Sequence, residues 1–135
     1  MDKLSYDHEI AFKVRDYELD LQGIVNNSTY MNYLEHARHE YLDLKGINFN
    51  QLHLDGFDAV VVRAEIDYKK SLRSGDHFTV RTGVEREGRL KLVFNQQIIR
   101  NADQAIMINA RIITACIHRN RPIEPIFILE KIGLI

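Results

Sequence analysis

From residue 8 onward the chain alternates: Ile10, Phe12 and Val14 fall between Glu9, Ala11, Lys13 and Arg15, the two-residue period of a strand with one buried face. This predicts a first strand at about 8 to 16. The stretch from Asp16 to Val25 breaks the period and contains Gly23, after which Asn26, Asn27 and Ser28 offer side-chain oxygens able to cap the free amides of a helix start. From Tyr30 the spacing changes to three and four. Tyr33, Leu34, Ala37, Tyr41 and Leu44 line one stripe at about 100° per residue, and Gly46 suits the left-handed position after a last turn. One long helix over about 27 to 45 is predicted.

The two-residue period then returns. Ala59 to Tyr68 is rich in Val and Ile, Phe78, Val80, Thr82 and Val84 alternate up to Glu87-Gly88, and Leu90, Leu92, Phe94, Gln96 and Ile98 alternate down to Asn101-Ala102-Asp103. Ala105 to His118 completes the series, so the four strands after the helix are expected to form an antiparallel meander joined by the first strand. Residues 47 to 57 read as a connection. Pro122 and Pro125 are expected to end the last strand, and Ile126 to Ile135 fits either a short helix or an extra edge strand. The order is β-α-β-β-β-β, an α+β pattern in which the remaining strands must cover the helix stripe.

Composition narrows the function. With 135 residues the chain has the size of one domain, taken as 1–135. Eighteen Lys and Arg against nineteen Asp and Glu leave a formal charge of −1, which supplies no global field for nucleic acid or an anionic membrane. Any anionic ligand must be held by local charges. The opening residues MDKLSYDHE are polar and acidic, and no apolar run approaches the roughly 18 residues of a membrane span. A soluble, cytoplasmic protein without membrane or nucleic-acid partners is expected. The lone Cys116 lies in an alternating apolar run, where a small buried side chain suits a strand better than a nucleophile.

Asp20-Leu-Gln-Gly23-Ile-Val-Asn-Asn27, followed by Tyr30 and by Leu34-Glu35-His-Ala37-Arg38, resembles the hydroxybenzoyl-CoA thioesterase branch of the hot dog superfamily. Asp67-Tyr68, Leu72 and Ser74-Gly75-Asp76 resemble that family's second strand and the turn into its third, and the likeness covers about 8 to 120. The resemblance implies a curved antiparallel five-stranded sheet wrapped around one long helix. It also implies subunits that pair as a homodimer or homotetramer to build active sites at their interface. It implies a cofactor-free enzyme, with no metal, that hydrolyses an acyl-CoA thioester.

Such hydrolysis needs a carboxylate that attacks the carbonyl carbon or activates water, and fixed donors aimed at the oxygen that gains charge. By resemblance Asp20 takes the place of the catalytic acid, and the backbone N–H of Asn27 the place that polarises the carbonyl. Gly23, Val25, Asn26 and Tyr30 are expected around the substrate. Asp is also a common turn-closing residue, and that reading of Asp20 stands beside the catalytic one. In a second branch of the superfamily the acid sits on the helix eight residues after the oxyanion amide, which here is Glu35. An ion pair of Glu35 with Arg38, one turn on, is its structural alternative.

CoA carries phosphates, and Lys69, Lys70, Arg73, Arg119 and Arg121 lie near strand ends where these are met as point charges or forked donors. His36 and His39 fall opposite the stripe with no cysteine pair or HExxH pattern to complete a metal site. A binding protein that holds acyl-CoA without hydrolysis, and an acyl carrier protein thioesterase, are the rival readings. A hydratase of the same superfamily needs an Asp/His pair that the pattern does not offer.

Overall fold

A computed structural model of the protein describes residues 6–135, so the first five residues of the polar opening stretch lie outside it. The elements in chain order are β1 (His8–Lys13), a 3₁₀ turn (Asp16–Glu18), α1 (Asn27–Leu44), α2 (Phe49–Leu54), β2 (Phe57–Tyr68), β3 (His77–Glu87), β4 (Lys91–Arg100), β5 (Ala105–His118), β6 (Arg121–Ile123) and α3 (Ile126–Ile132). Among the described residues the strands form one six-stranded sheet in the order β1-β3-β4-β5-β2, with β6 beside β5. All pairings are antiparallel.

The sheet curls around α1. Tyr30, Tyr33, Leu34, Ala37, Tyr41 and Leu42 are buried against Phe78, Val80, Phe94, Ile98, Met107 and Ile112, the inward positions of β3, β4 and β5. This is the hot dog arrangement, a long helix held in a half-barrel of antiparallel strands. The helix begins where expected, because the Asn26 side chain accepts a hydrogen bond from the Ser28 N–H at 3.0 Å. It ends before Gly46, whose φ of +78° allows the chain to reverse. That reversal brings Ile47 back onto Leu42 through an N–H to carbonyl bond of 2.9 Å. Leu44, expected in the stripe, is therefore 74% exposed, and Leu42 is buried in its stead.

Four further expectations need correction. The four later strands do not run as one meander: β3, β4 and β5 do, but β2 pairs with β5 on the far side of the sheet from β3. Alternation reports that a strand has two unlike faces and carries no information on its neighbour. The first strand stops at Lys13, short of the 3₁₀ turn. The connection at 47 to 57 contains α2, capped by the Asn48 side chain on the Gln51 N–H at 3.0 Å. Six residues are too few for a helical period to show in sequence. Pro122 does not end the sheet but sits inside β6, opposite Ile117. The two-residue turn before it places Arg119 and Asn120 at φ of 51° and 67°, the left-handed geometry that closes a tight hairpin. The tail resolves as a helix, α3, preceded by Pro125.

One edge of this sheet is β2, twelve residues long, with Val60, Val61 and Val62 exposed and a bulge between Val61 and Arg63. Among the described residues no helix is long and apolar enough to cross a membrane.

Candidate active site

The loop that follows the 3₁₀ turn folds back on itself. The Asn26 N–H donates to the Glu18 carbonyl at 3.1 Å, Leu19 and Val25 form a bridge, and the Asp20 N–H donates to the Ile24 carbonyl at 2.8 Å. Gly23 turns the chain at φ +78°, and a side chain there meets nothing within 4 Å, so glycine is required for conformation and not for space. The Asp20 carboxylate sits inside this turn. Its Oδ1 accepts from the Gln22 N–H at 2.8 Å and from the Ile24 N–H at 3.4 Å. Its Oδ2 accepts no hydrogen bond from the described residues. The turn-closing role and an available carboxylate oxygen thus coexist in one residue.

The same loop is fastened to the β2–β3 connection. The Val25 N–H donates to the Leu72 carbonyl at 2.9 Å, Ile24 bridges Arg73, and the Leu72 N–H donates to the Tyr30 hydroxyl at 2.8 Å. Burial pushes the Tyr30 phenol above its ordinary value, and the Leu72 N–H partly offsets that by supporting the phenolate. Tyr30 and Val25, expected beside a ligand, are both buried within the chain as part of its hydrophobic core. Tyr33 ties the other side down by donating its hydroxyl to Glu18 Oε1 at 2.8 Å; burial first, and that carboxylate second, hold it protonated.

At the start of α1 the Asn26 cap leaves the Asn27 N–H without a hydrogen bond among the described residues, while the Thr29 and Tyr30 amides turn back to the Asn26 carbonyl at 2.9 and 3.3 Å. A free N–H at a helix N-terminus carries the positive end of the helix dipole as well as its own proton. Nearby, the Lys69 and Lys70 amides are anchored on the Met107 carbonyl at 2.9 and 3.2 Å and the Arg73 amide on Asp76 at 2.9 Å, with all three side chains exposed. Arg119 and Arg121 are separated from them by the length of β5, roughly 40 Å of strand at about 3.3 Å per residue. The five cations therefore do not meet one ligand within one chain.

Glu35 occupies a different place. It lines a groove of about 370 Å³ between α1, α2 and β2, together with Met31, His39, Phe49, Val60 and Val61. The expected ion pair with Arg38 is absent: the nearest basic atom to the Glu35 carboxylate is His39 Nε2 at 3.8 Å, with the Glu35 side chain 56% exposed. His36 pairs similarly with Glu40 at 3.9 Å. Arg38 instead turns inward, only 7% exposed, and donates from Nη1 to Gln96 Oε1 at 3.0 Å. Gln96 in turn donates to the Leu34 carbonyl at 3.0 Å and to the Thr82 hydroxyl at 3.1 Å. This buried network was missed in sequence, although its signal is there: Arg38 keeps helical spacing with Leu34 and Tyr41, and Gln96 interrupts the apolar face of an alternating strand.

The fold is a long helix held in a half-barrel of antiparallel strands, with a carboxylate loop ahead of the helix start. The comparisons place the chain in a family. Residues 14–126 match the model of the thioesterase-like superfamily. The chain belongs to this family. It is similar to the chloroplastic acyl-acyl carrier protein thioesterase ATL2 of Arabidopsis thaliana, 39% identical over 77% of this chain and 55% of that protein. It also resembles the acyl-CoA thioesterase YbgC of Haemophilus influenzae, 30% identical over 82% of each chain. The crystal structure of the hypothetical protein AQ1494 from Aquifex aeolicus superposes with a TM-score of 0.85 at 28% identity, covering 93% of this chain and 98% of that one. The chain spans a little over half the length of ATL2 and 62% of its relative ATL3.

Proposed function

We propose that this protein is an acyl-CoA thioesterase, converting an acyl-CoA and water into a carboxylic acid and CoA. The observation that carries the reading is the unpartnered Asn27 N–H at the head of α1, fastened to a loop whose Asp20 keeps one carboxylate oxygen free. The thioester carbonyl oxygen points at the Asn27 amide, which stabilises the charge that develops there. Asp20 Oδ2 then attacks the carbonyl carbon. The C–S bond breaks, the CoA thiolate leaves and takes a proton, and water opens the resulting mixed anhydride to the acid. In the alternative route the same oxygen removes a proton from water, which attacks directly. Lys69, Lys70 and Arg73, exposed on the connection beside this loop, are the groups offered to the CoA phosphates.

Within the superfamily, the Asp20 to Asn27 spacing supports the hydroxybenzoyl-CoA thioesterase branch, and the largely apolar groove beside α1 favours an aliphatic acyl group over hydroxybenzoyl itself. An acyl carrier protein thioester is the second reading, supported by the 39% identity to a protein named for that substrate. We further propose a homodimer or dimer of dimers, since the long β2 edge with its exposed valines calls for a cover. Light scattering that reports a monomer at micromolar concentration removes the assembly and any shared site. Thiol release from a panel of acyl-CoAs and acyl carrier protein thioesters tests the activity: release identifies the substrate class. Tight binding with no release from any member makes the chain an acyl-CoA binding protein.

A further inference from the structure

The sheet's other edge is β1, which among the described residues pairs with β3 alone. In an antiparallel pair alternate residues turn their backbone groups toward the partner strand and the rest turn them away. The Val14 N–H donates to the Asp76 carbonyl at 2.9 Å, and the His77 carbonyl is taken toward β4 by the Asn101 N–H at 2.9 Å, which leaves Phe78 and Val80 to bond β1. Phe12 and Ile10 are their partners in the register. The N–H and C=O groups of Glu9, Ala11 and Lys13 therefore face the open edge.

A furrow runs beside that edge. Two hollows of about 220 and 480 Å³ share Phe12, Lys13, Arg15 and His36, and neither has a lining residue in common with the groove that Glu35 lines. Ile10 and Phe12, both half-buried, give the furrow an apolar side, and Phe12 is backed by the Phe78 ring at 5.1 Å between centroids. Its charged lining is basic. Lys13 and Arg15, flanked by His36 and His77, outnumber one carboxylate, that of Glu18, whose Oε1 already accepts from the Arg15 N–H and the Tyr33 hydroxyl.

A lysine on a short edge strand repels a basic strand and accepts an acidic one. We infer that the β1 edge is a docking site for an extended acidic segment of a partner protein, which adds a strand beside β1. The segment's backbone pairs with Glu9, Ala11 and Lys13. Its apolar side chains enter the furrow beside Ile10 and Phe12, and its alternate carboxylates lie on the opposite face of the sheet, where Lys13 stands across from His77. The inference does not rest on the thioesterase reading and holds whether or not the chain hydrolyses a thioester.

Fluorescence anisotropy of a labelled octapeptide of alternating Val and Glu, titrated with the full chain, tests it. The controls are an octapeptide of alternating Val and Lys and one with the same Val and Glu residues in separate blocks. The alternating Val-Glu peptide is expected to bind at least about tenfold more tightly than either, and to slow hydrogen exchange at the Ala11 and Lys13 amides. Ala11→Pro removes an edge N–H and no ladder bond, so the fold survives and binding weakens at least about tenfold. Lys13→Glu with Arg15→Glu is expected to erase the preference for the acidic peptide. Equal binding of the Val-Glu and Val-Lys peptides by the wild-type protein, no binding of either, or unchanged exchange at Ala11 and Lys13 overturns the inference. So does self-association of the chain that Ala11→Pro abolishes, because a second copy then holds the edge. The wild-type comparison decides the matter even if a variant fails to fold.

Discussion

Two acids of this chain stand within one loop and two helical turns of each other, and their surroundings differ in kind. Asp20 is held by backbone: amides of Gln22 and Ile24 fix one oxygen, and the loop around it is fastened to both the 3₁₀ turn and the β2–β3 connection. Glu35 projects from α1 into water at the rim of an apolar groove, its nearest basic atom a histidine nitrogen at 3.8 Å. A group already fixed by backbone donors loses little freedom on reaching a defined carbonyl carbon, whereas an exposed glutamate must first be ordered. On the proposed function, attack falls to the loop and chain-holding to the groove. Four measurements break or sharpen that division.

The largest effect is expected at the loop. Asp20→Asn keeps the Oδ1 acceptor for the Gln22 and Ile24 amides and removes the charge, so the fold and substrate affinity change little. Loss of a base or nucleophile lowers kcat by at least about a hundredfold. Glu35→Gln is expected to stay within a few-fold of wild type. Steady-state kinetics on the best acyl-CoA that give the opposite order move catalysis to the helix.

Gln96→Leu is next. It leaves Arg38, the Leu34 carbonyl and the Thr82 hydroxyl without their shared partner in the buried network. Stranding such groups costs about 1–3 kcal/mol, read as a lower urea midpoint, and by the division above it leaves the Asp20-dependent step untouched once the protein is folded. A kcat that falls in proportion instead couples the two regions.

Gly23→Ala has a smaller cost. The residue sits at φ +78° with open space around it, so the methyl group clashes with its own backbone alone, by about 1–2 kcal/mol. Differential scanning calorimetry showing no loss means the loop yields more easily than its hydrogen bonds suggest.

The smallest effect bounds the pH range for all of these. Burial pushes the Cys116 thiol from 9.0 up to about 11. The unfolded chain therefore releases this proton first. Its contribution to stability is intact below pH 9.0 and is lost as the pH climbs to about 11. Burial raises Tyr30, Tyr33 and Tyr41 in the same sense. Stability is expected to fall on the alkaline side of pH 9, and a Cys116→Ala protein to fall less steeply. A flat profile to pH 11 shows that the thiol is not shielded.

Much of this was legible in one dimension because it depends on neighbours along the chain. The cap at Asn26, the reversal at Gly46, the hairpins at Glu87-Gly88 and Asn101-Asp103 and the long helix all follow from dihedral preferences and from periods of 2 and 3.6 residues. The closeness of a carboxylate loop to a helix start was also visible, since only six residues separate Asp20 from Asn27.

The sequence by itself determined the five long strands and the course of the long helix, because each is set by local conformation and by which face of an element is apolar, and it offered Asp20 and Asn27 for thioester chemistry only through a resemblance. Only the tertiary structure decided who meets whom. It put β2 beside β5 instead of β3, set Arg119 and Arg121 at the far end of the sheet from Lys69, and gave Glu35 a histidine in place of Arg38. It turned Arg38 inward to Gln96, 58 positions away, and formed the groove beside it from three helices and three strands. Contacts of that separation are fixed by how the sheet curls around the helix, and no pattern read within one element records it.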